Sequence, residues 1–96
     1  AIVHAAQSIR EAFAEELEPH FQDEEADLLP ALAKAGADEL VERTLAEHAE
    51  LRDLNRRLTE PDIETMARFA TLLGDHVRFE ERELFETAQR LLYPAQ

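Results

Sequence analysis

The sequence predicts an all-α protein, and three observations carry that prediction. Only two of the 96 residues are glycine and four are proline, whereas the helix-favouring residues Ala, Leu, Glu and Arg are abundant. Apolar residues recur every three or four positions, which is the period of a helix with one buried face. The few helix-breaking residues divide residues 1–96 into three long helical stretches within a single domain.

The first predicted helix runs from about Ile9 to about Lys34. Ser8 and Glu11 have the spacing of a capping box, in which the two side chains satisfy the free amides at the start of a helix. Gly36 predicts the end of the helix and the turn that follows it, because glycine favours the left-handed conformation found there. Because the capping box places the start of this helix at Ser8, residues 1–7 are expected to belong to a separate element.

Two prolines and a glycine interrupt the predicted helices. Pro19 predicts a kink near Glu18, and Pro30 predicts a bend or break in the last turns of the first helix, since proline lacks the amide hydrogen that a helix needs. Gly74 interrupts the third helix only mildly, at a cost of about 1 kcal/mol relative to alanine.

The second and third helices are separated by a short turn. The second is predicted to run from about Asp38 to Leu58. The turn covers residues 59–62, with Pro61 at the first positions of the third helix, where proline is well tolerated. The third helix is expected to end at about Leu92, before Pro94.

Each helix has an apolar stripe that predicts its buried face. The stripes consist of Phe13, Leu17, Phe21, Leu28 and Leu32 on the first helix, Val41, Leu45, Leu51, Leu54 and Leu58 on the second, and Phe69, Leu73, Leu84 and Leu91 on the third. Polar residues fill the gaps at the same helical step: His20 and Glu24, then His48, then His76 and Glu80. All five are therefore predicted to point toward the core.

The three histidines are also predicted to lie at one level. His20 lies about 24 Å of helix before the Gly36 turn, and His48 lies about 18 Å after it, at 1.5 Å per residue. His48 and His76 are similarly spaced about Pro61. In an up-down arrangement, the three ligand-bearing turns fall within about one helical turn of each other.

Buried carboxylates at one level indicate a metal site. His48 alone is more typical of a satisfied core residue, and a histidine four residues before a glutamate is common on solvated faces. Two such pairs on buried faces are a different case from one pair on a solvated face. Buried together, Glu24 and Glu80 would repel each other unless they were protonated or bound to a cation. Imidazole and carboxylate without sulfur suit iron, manganese or zinc.

Composition excludes several classes of function. Acidic residues outnumber basic ones by 22 to 10, for a net charge of −12, which disfavours nucleic acid and anionic membranes as partners. The absence of cysteine excludes disulfides, zinc–thiolate sites and iron–sulfur clusters, and favours the cytoplasm. Neither a membrane-spanning segment nor a signal peptide is expected.

Three segments resemble the hemerythrin-like (HHE cation-binding) domain family. Residues 18–30, 47–52 and 75–85 are similar to that family's HxxxE, His and HxxxE blocks, in order, and the resemblance covers about residues 17–92. It implies an up-down antiparallel four-helix bundle around a non-haem di-iron centre. Such a centre binds dioxygen or senses oxygen, iron or redox state.

The resemblance also implies roles for individual residues. His20, His48 and His76 would be terminal ligands and Glu24 and Glu80 bridging ligands of two iron ions in an Fe–O–Fe type centre, with manganese or zinc as possible metals. The implied partner is dioxygen, peroxide, nitric oxide or iron. The expected function is binding or sensing, with a peroxide-decomposing or Fe(II)-oxidising enzyme as the alternative and a plain helical interaction protein as the third hypothesis.

The sequence departs from the family pattern in ways that leave alternatives open. Arg52 stands where the oxygen carriers place a second histidine after His48, which disfavours reversible oxygen carriage. In some members the last carboxylate lies five residues after its histidine, so Glu81 is the substitute for Glu80.

The family's first helix contributes a further histidine, and here the only upstream histidine is His4. On one continuous helix His4 would lie about 24 Å from His20, out of reach of the site. Either residues 1–7 are a short or incomplete first helix that brings His4 to the metal, or a partner chain, as in a homodimer, supplies the fourth helix. His4 is therefore a sixth candidate ligand.

Aromatic residues near the motifs have simpler roles. Phe21 and Phe79 are expected to wall the metal pocket, although plain core packing predicts the same burial. Tyr93 lies about three turns or more beyond Glu80, which is too far for a ligand.

Overall fold

In the computed structural model, which describes residues 1–93, the chain forms three long helices and, within those residues, no strand. We name them α1 (residues 2–34), α2 (Asp38–Arg57) and α3 (residues 63–92). The Cα atoms extend over 51 × 21 × 20 Å. The all-α prediction is confirmed, whereas a four-helix bundle with a short first helix is not what the described residues form.

Helix α1 begins earlier than its capping signal predicts. Its first α-helical part is Ile2–Ala12, so Ser8 lies inside the helix and the predicted start at this residue is wrong. Ala6 is 1% exposed, and Ile9 packs against the core. Burial of these side chains against the rest of the molecule outweighs the local preference for a cap, because capping contributes only about 1 kcal/mol.

Both prolines of α1 follow a widened helical turn. The π-helical turns Phe13–Leu17 and Glu24–Leu28 are each followed, two residues later, by Pro19 and Pro30. Proline has no amide hydrogen, and its ring would clash with the carbonyl four residues earlier, so a wider turn accommodates it. A π-helical turn therefore lies at each place where a distortion was predicted, and of the two alternatives for Pro30 the break does not occur.

Helix α3 contains a third π-helical turn, Glu80–Leu84, and no proline occurs in the rest of the helix. The helix continues through Gly74, where an added Cβ would meet only the side chain of Arg78. It ends at Leu92, as predicted, while Pro94 lies outside the described residues.

The two turns between the helices are stabilised by different features. Gly36 closes the first with a φ of 93°, a left-handed conformation that confirms its predicted role. At the second, α3 begins at Ile63, and the carboxylate of Asp62 caps it by accepting a hydrogen bond from the Thr65 amide at 2.8 Å. Pro61 precedes this cap, so its predicted place inside the helix is wrong.

The apolar core consists of two clusters. The cluster nearer the α2–α3 turn contains Phe13, Phe21, Leu51, Leu54 and Phe69, and the cluster nearer the α1–α2 turn contains Leu29, Leu32, Phe79, Leu84 and Ala88. The predicted burial of two stripe residues is wrong, because Leu45 and Leu91 are 44% and 41% exposed. Leu29 is buried where Leu28 was expected, since the π-helical turn adds one residue before it. Within residues 1–93, none of the helices is long and apolar enough to cross a membrane.

Candidate metal centre

Four buried polar side chains meet between the two apolar clusters. Glu24 comes from α1, His48 from α2, and His76 and Glu80 from α3, and one ligand atom of each lies within 4.8 Å of the others. Their exposed fractions are 5%, 0%, 1% and 5%. The structure therefore brings together four of the six predicted site residues, on the three helices and at the one level that the sequence predicts.

Each buried histidine directs Nε2 toward a carboxylate. His48 Nε2 lies 3.1 Å from Oε1 of Glu24 and 4.0 Å from Oε2 of Glu80. His76 Nε2 lies 3.0 Å from the same Glu80 oxygen, within its own HxxxE motif. Nitrogen and oxygen ligand atoms thus converge on one point.

These converging atoms have no hydrogen-bond partner. In the described part of the chain, six buried side-chain atoms are unpartnered, and five belong to the cluster: both carboxylate oxygens of Glu24, Nε2 of His48 and of His76, and Oε2 of Glu80. An unsatisfied buried polar group costs about 1–3 kcal/mol, and more if it is charged. Because a cation would satisfy all five atoms, and imidazole with carboxylate suits iron, manganese or zinc, the residues fit a metal ion.

His20 reaches the same carboxylates from the edge of the cluster. Its Nε2 lies 3.2 Å from Oε2 of Glu24 and 3.6 Å from Oε1 of Glu80. Its side chain is nevertheless 50% exposed, whereas the side chains of His48 and His76 are buried. His20 therefore forms the solvent-facing edge of an otherwise buried cluster.

His4 is not brought to the cluster. It is exposed and lies on the same continuous helix as His20, about 24 Å away along the axis. The separate N-terminal element that would have carried it does not form, because α1 begins at Ile2. On α3, Glu80 is buried in the cluster and Glu81 is exposed, so the four-residue spacing places the carboxylate inward.

The carboxylates of the cluster differ in their proton affinity. Burial raises the pKa of Glu24 above its ordinary value, and the nearby carboxylate of Glu80 adds to the rise, while His48 opposes it. Burial acts in the same direction on Glu80, but contacts with His48 and His76 outweigh it and hold its pKa well below the ordinary value. Two neighbouring carboxylates thus favour opposite protonation states, as expected when like charges are buried together.

The buried histidines favour the protonated form. Burial lowers the pKa of His48, but the carboxylates of Glu24, Glu80 and Glu25 outweigh it and raise the pKa to about 9. The pKa of His76 is also raised, since its carboxylate neighbours outweigh burial. In the metal-free protein, protons on these rings offset part of the buried negative charge that a cation would otherwise neutralise.

The family model of the hemerythrin HHE cation-binding domain matches residues 2–88. The chain belongs to this family. No match was found among curated proteins or among solved structures. Membership of this family indicates that the domain binds a cation, and the buried Glu and His cluster is the candidate cation site.

Aromatic rings wall the centre of this HHE domain. The ring of Phe21 stacks on His48 with centroids 3.9 Å apart and planes at 13°, and its edge meets His76 at 5.7 Å. The ring of Phe79 lies 6.3 Å from that of His76, between ring centroids. Tyr93 is 70% exposed at the end of α3, away from the HHE centre.

Sequence reasoning missed two carboxylates, Glu25 and Glu47, that contact the buried histidines from outside the cluster. Each is the immediate sequence neighbour of a predicted ligand, so helical periodicity points it about 100° away from the core stripe. The available signal was Arg52, one helical turn after His48, because a guanidinium beside the predicted site needs carboxylate partners such as Glu25.

Proposed function

We propose that this HHE domain holds two iron ions and binds or senses a small ligand, namely dioxygen, peroxide, nitric oxide or iron itself. The observation that carries the proposal is the convergence of five buried, unpartnered ligand atoms from three helices. The proposed terminal ligands are His20, His48 and His76, and the proposed bridges are Glu24 and Glu80. Bound iron would supply redox chemistry and a position for a small ligand.

The solvent-facing edge of the cluster supports binding of a small exogenous ligand. His20 is half exposed, and its Nε2 lies 3.2 Å from Glu24 and 3.6 Å from Glu80, so this side chain alone stands between solvent and the two carboxylates at this edge. Arg52, one helical turn after His48, donates hydrogen bonds to Glu18 and Glu25 and offers no lone pair to a metal. The candidate ligands therefore number five for two metals, which leaves positions for water or a diatomic molecule.

Metal analysis tests the first part of the proposal. Protein loaded anaerobically with Fe(II) and then desalted is expected to retain two iron ions per chain. Replacing His48 by Ala is expected to lower that stoichiometry, whereas His4→Ala serves as a control with unchanged retention. Retention of less than one metal per chain would exclude the proposal, and retention of one would exclude a two-metal centre.

A second candidate is an enzyme that decomposes peroxide or oxidises Fe(II) at the same centre. The half-exposed His20 favours it, because movement of this one side chain would admit reactants from solvent and release products the same way. An absorption band that forms with oxygen and reverses on degassing would support binding. Steady consumption of added peroxide, abolished by Glu24→Ala, would support catalysis instead.

We also propose that a second copy of the chain supplies the fourth wall of a four-helix bundle. The exposed ring edge of His20 and the 44% exposed side chain of Val77, three residues before Glu80, support an open side at this level. Sedimentation of the metal-loaded protein tests this, with a dimer expected and a monomer contradicting it. The expected cytoplasmic location stays a prediction.

A further inference from the structure

Both buried histidines are held by a second carboxylate on the ring nitrogen that faces away from the cluster. His48 Nδ1 lies 2.7 Å from Oε2 of Glu25, and His76 Nδ1 lies 2.7 Å from Oε1 of Glu47. An ionised carboxylate only accepts hydrogen bonds, so in each pair Nδ1–H is the donor. When the ring loses a proton, as a histidine must to bind a metal, the remaining proton sits on Nδ1 and Nε2 presents its lone pair to the cluster.

Each of these outer carboxylates is in turn held by an arginine. Arg52 Nη1 donates to Oε2 of Glu25 at 2.9 Å, and its Nε and Nη2 donate to Glu18 at 2.8 and 2.9 Å. Arg43 Nε donates to Oε2 of Glu47 at 2.9 Å. The two chains of contacts therefore have the same order, histidine, glutamate, arginine.

Aromatic rings limit where both arginines lie. The guanidinium carbon of Arg43 lies 3.9 Å from the ring centroid of Phe79, and that of Arg52 lies 5.6 Å from the centroid of Phe21. A guanidinium over an aromatic face is stabilised by the ring's quadrupole, and its planar fork then orients the carboxylate. Phe21 and Phe79 also contact the histidines of the cluster, so each ring packs against both a histidine and the arginine that holds an outer carboxylate.

Helix α2 carries most of this arrangement. Arg43 and Glu47 lie one turn apart on it, as do His48 and Arg52, so neighbouring residues Glu47 and His48 serve opposite sides of the cluster. Glu47 reaches across to α3, while His48 is met by a carboxylate from α1. The half-exposed His20 has no such hydrogen bond within residues 1–93.

We propose that Glu25 and Glu47 are positioning residues of the centre: each orients one histidine and holds it in the tautomer that directs Nε2 to the metal. The inference rests on the proposed metal binding. Outer-shell partners of ligand histidines typically contribute 10–100-fold to metal affinity. Glutamine at either position keeps the side-chain size but adds an amide donor, which stabilises the tautomer with its lone pair on Nδ1.

The test compares Glu25→Gln and Glu47→Gln with a matched control, Glu50→Gln. Glu50 pairs with Arg68 between α2 and α3 but contacts no histidine of the cluster. Cobalt(II) affinity, measured by competition with a chelating dye, is expected to fall about 10–100-fold in both site variants and to stay unchanged in the control. The visible ligand-field spectrum of the cobalt-loaded protein is expected to shift in the site variants, because histidine orientation alters the metal's geometry.

Urea unfolding of the metal-free variants separates positioning from stability. A loss of stability in a site variant without a change in cobalt affinity or spectrum would overturn the inference. Arg52→Lys is a milder second variant, expected to weaken cobalt binding in the same direction, because lysine lacks the bidentate fork. Failure of the unmodified protein to bind cobalt or iron would instead overturn the proposed function, on which the inference depends.

Discussion

The two HxxxE motifs have the same spacing but opposite surroundings. In the motif of α3, His76 is buried, its Nε2 faces Glu80 at 3.0 Å and its Nδ1 is held by Glu47. In the motif of α1, His20 is 50% exposed, and its Nε2 lies 3.2 Å from Glu24. Spacing therefore decides which side chains share a helix face, whereas the neighbouring helices decide which of them is buried and oriented.

The carboxylates of the two motifs are equally buried but differ in the direction of their pKa shifts. Glu80 faces two buried histidines and keeps its pKa low, whereas Glu24 has a raised pKa, because burial and the charge of Glu80 outweigh the effect of His48. The half of the site on α3 is fully buried, whereas the half on α1 is exposed at His20. The four predictions below test this difference.

The largest expected effect is on the stability of the metal-free protein. His76→Ala should lower the free energy of unfolding by about 3–5 kcal/mol, since it leaves buried carboxylates without their partner. His20→Ala should lower it by less than about 1 kcal/mol, because that ring is half exposed. Urea denaturation measures both, and equal losses would show that the two motifs do not differ in the way described.

The buried histidines also predict a pH dependence. A pKa of about 9 for His48, against 6.5 in the unfolded chain, stabilises the fold fully below pH 6.5, and this contribution is lost as pH rises through 9. The loss is about 3 kcal/mol, at about 1.4 kcal/mol per pKa unit, and His76 acts in the same direction. Denaturation of the metal-free protein across this range measures it.

Metal-loaded protein provides the control for that titration. Because a ligand histidine must lose its proton to bind metal, stability with bound metal is expected to rise with pH over the same range. A metal-free protein whose stability stays constant from pH 6.5 to 9 would contradict the raised pKa of His48.

A smaller effect separates two adjacent glutamates of the α3 motif. Glu80→Gln should weaken metal binding by about tenfold or more, since even outer-shell changes have effects of that size. Glu81→Gln, at an exposed position, should leave it unchanged. Competition with a chelator measures both affinities, and a greater loss in the Glu81 variant would show that the five-residue spacing supplies the ligand.

The smallest effect concerns the turn at which each motif ends. Both motifs lead into a π-helical turn, but only the turn Glu24–Leu28 is followed by a proline, Pro30. Since Glu80–Leu84 widens without one, Pro30→Ala should change stability by less than about 1 kcal/mol and leave metal binding intact. A loss of metal binding in this variant would mean that the proline sets the position of Glu24.

Much of the site was predictable because it depends on helical periodicity. His48 and the two HxxxE motifs fall on apolar stripes, and the distances from the two turns place them at one level. Those quantities require only the rise and twist of a helix. They do not depend on which side chains a neighbouring helix presents.

What could not be predicted depends on contacts between helices. Ser8 has a cap sequence, yet burial of Ala6 and Ile9 extends α1 to Ile2 and leaves His4 far from the centre. The partners of the histidine Nδ1 atoms come from positions beside the core stripe, where periodicity predicts solvent. Long-range packing decided both outcomes, as it often does when local preferences are worth about 1 kcal/mol.

The narrow cross-section of the molecule has a consequence for ligand exchange. Across the helices the Cα atoms extend only 21 × 20 Å. Under the proposed function, a diatomic molecule that arrived beside the half-exposed His20 would pass a single layer of side chains. The strength of ligand bonding to the proposed iron, and not a tunnel through the protein, would then govern how fast such a ligand leaves.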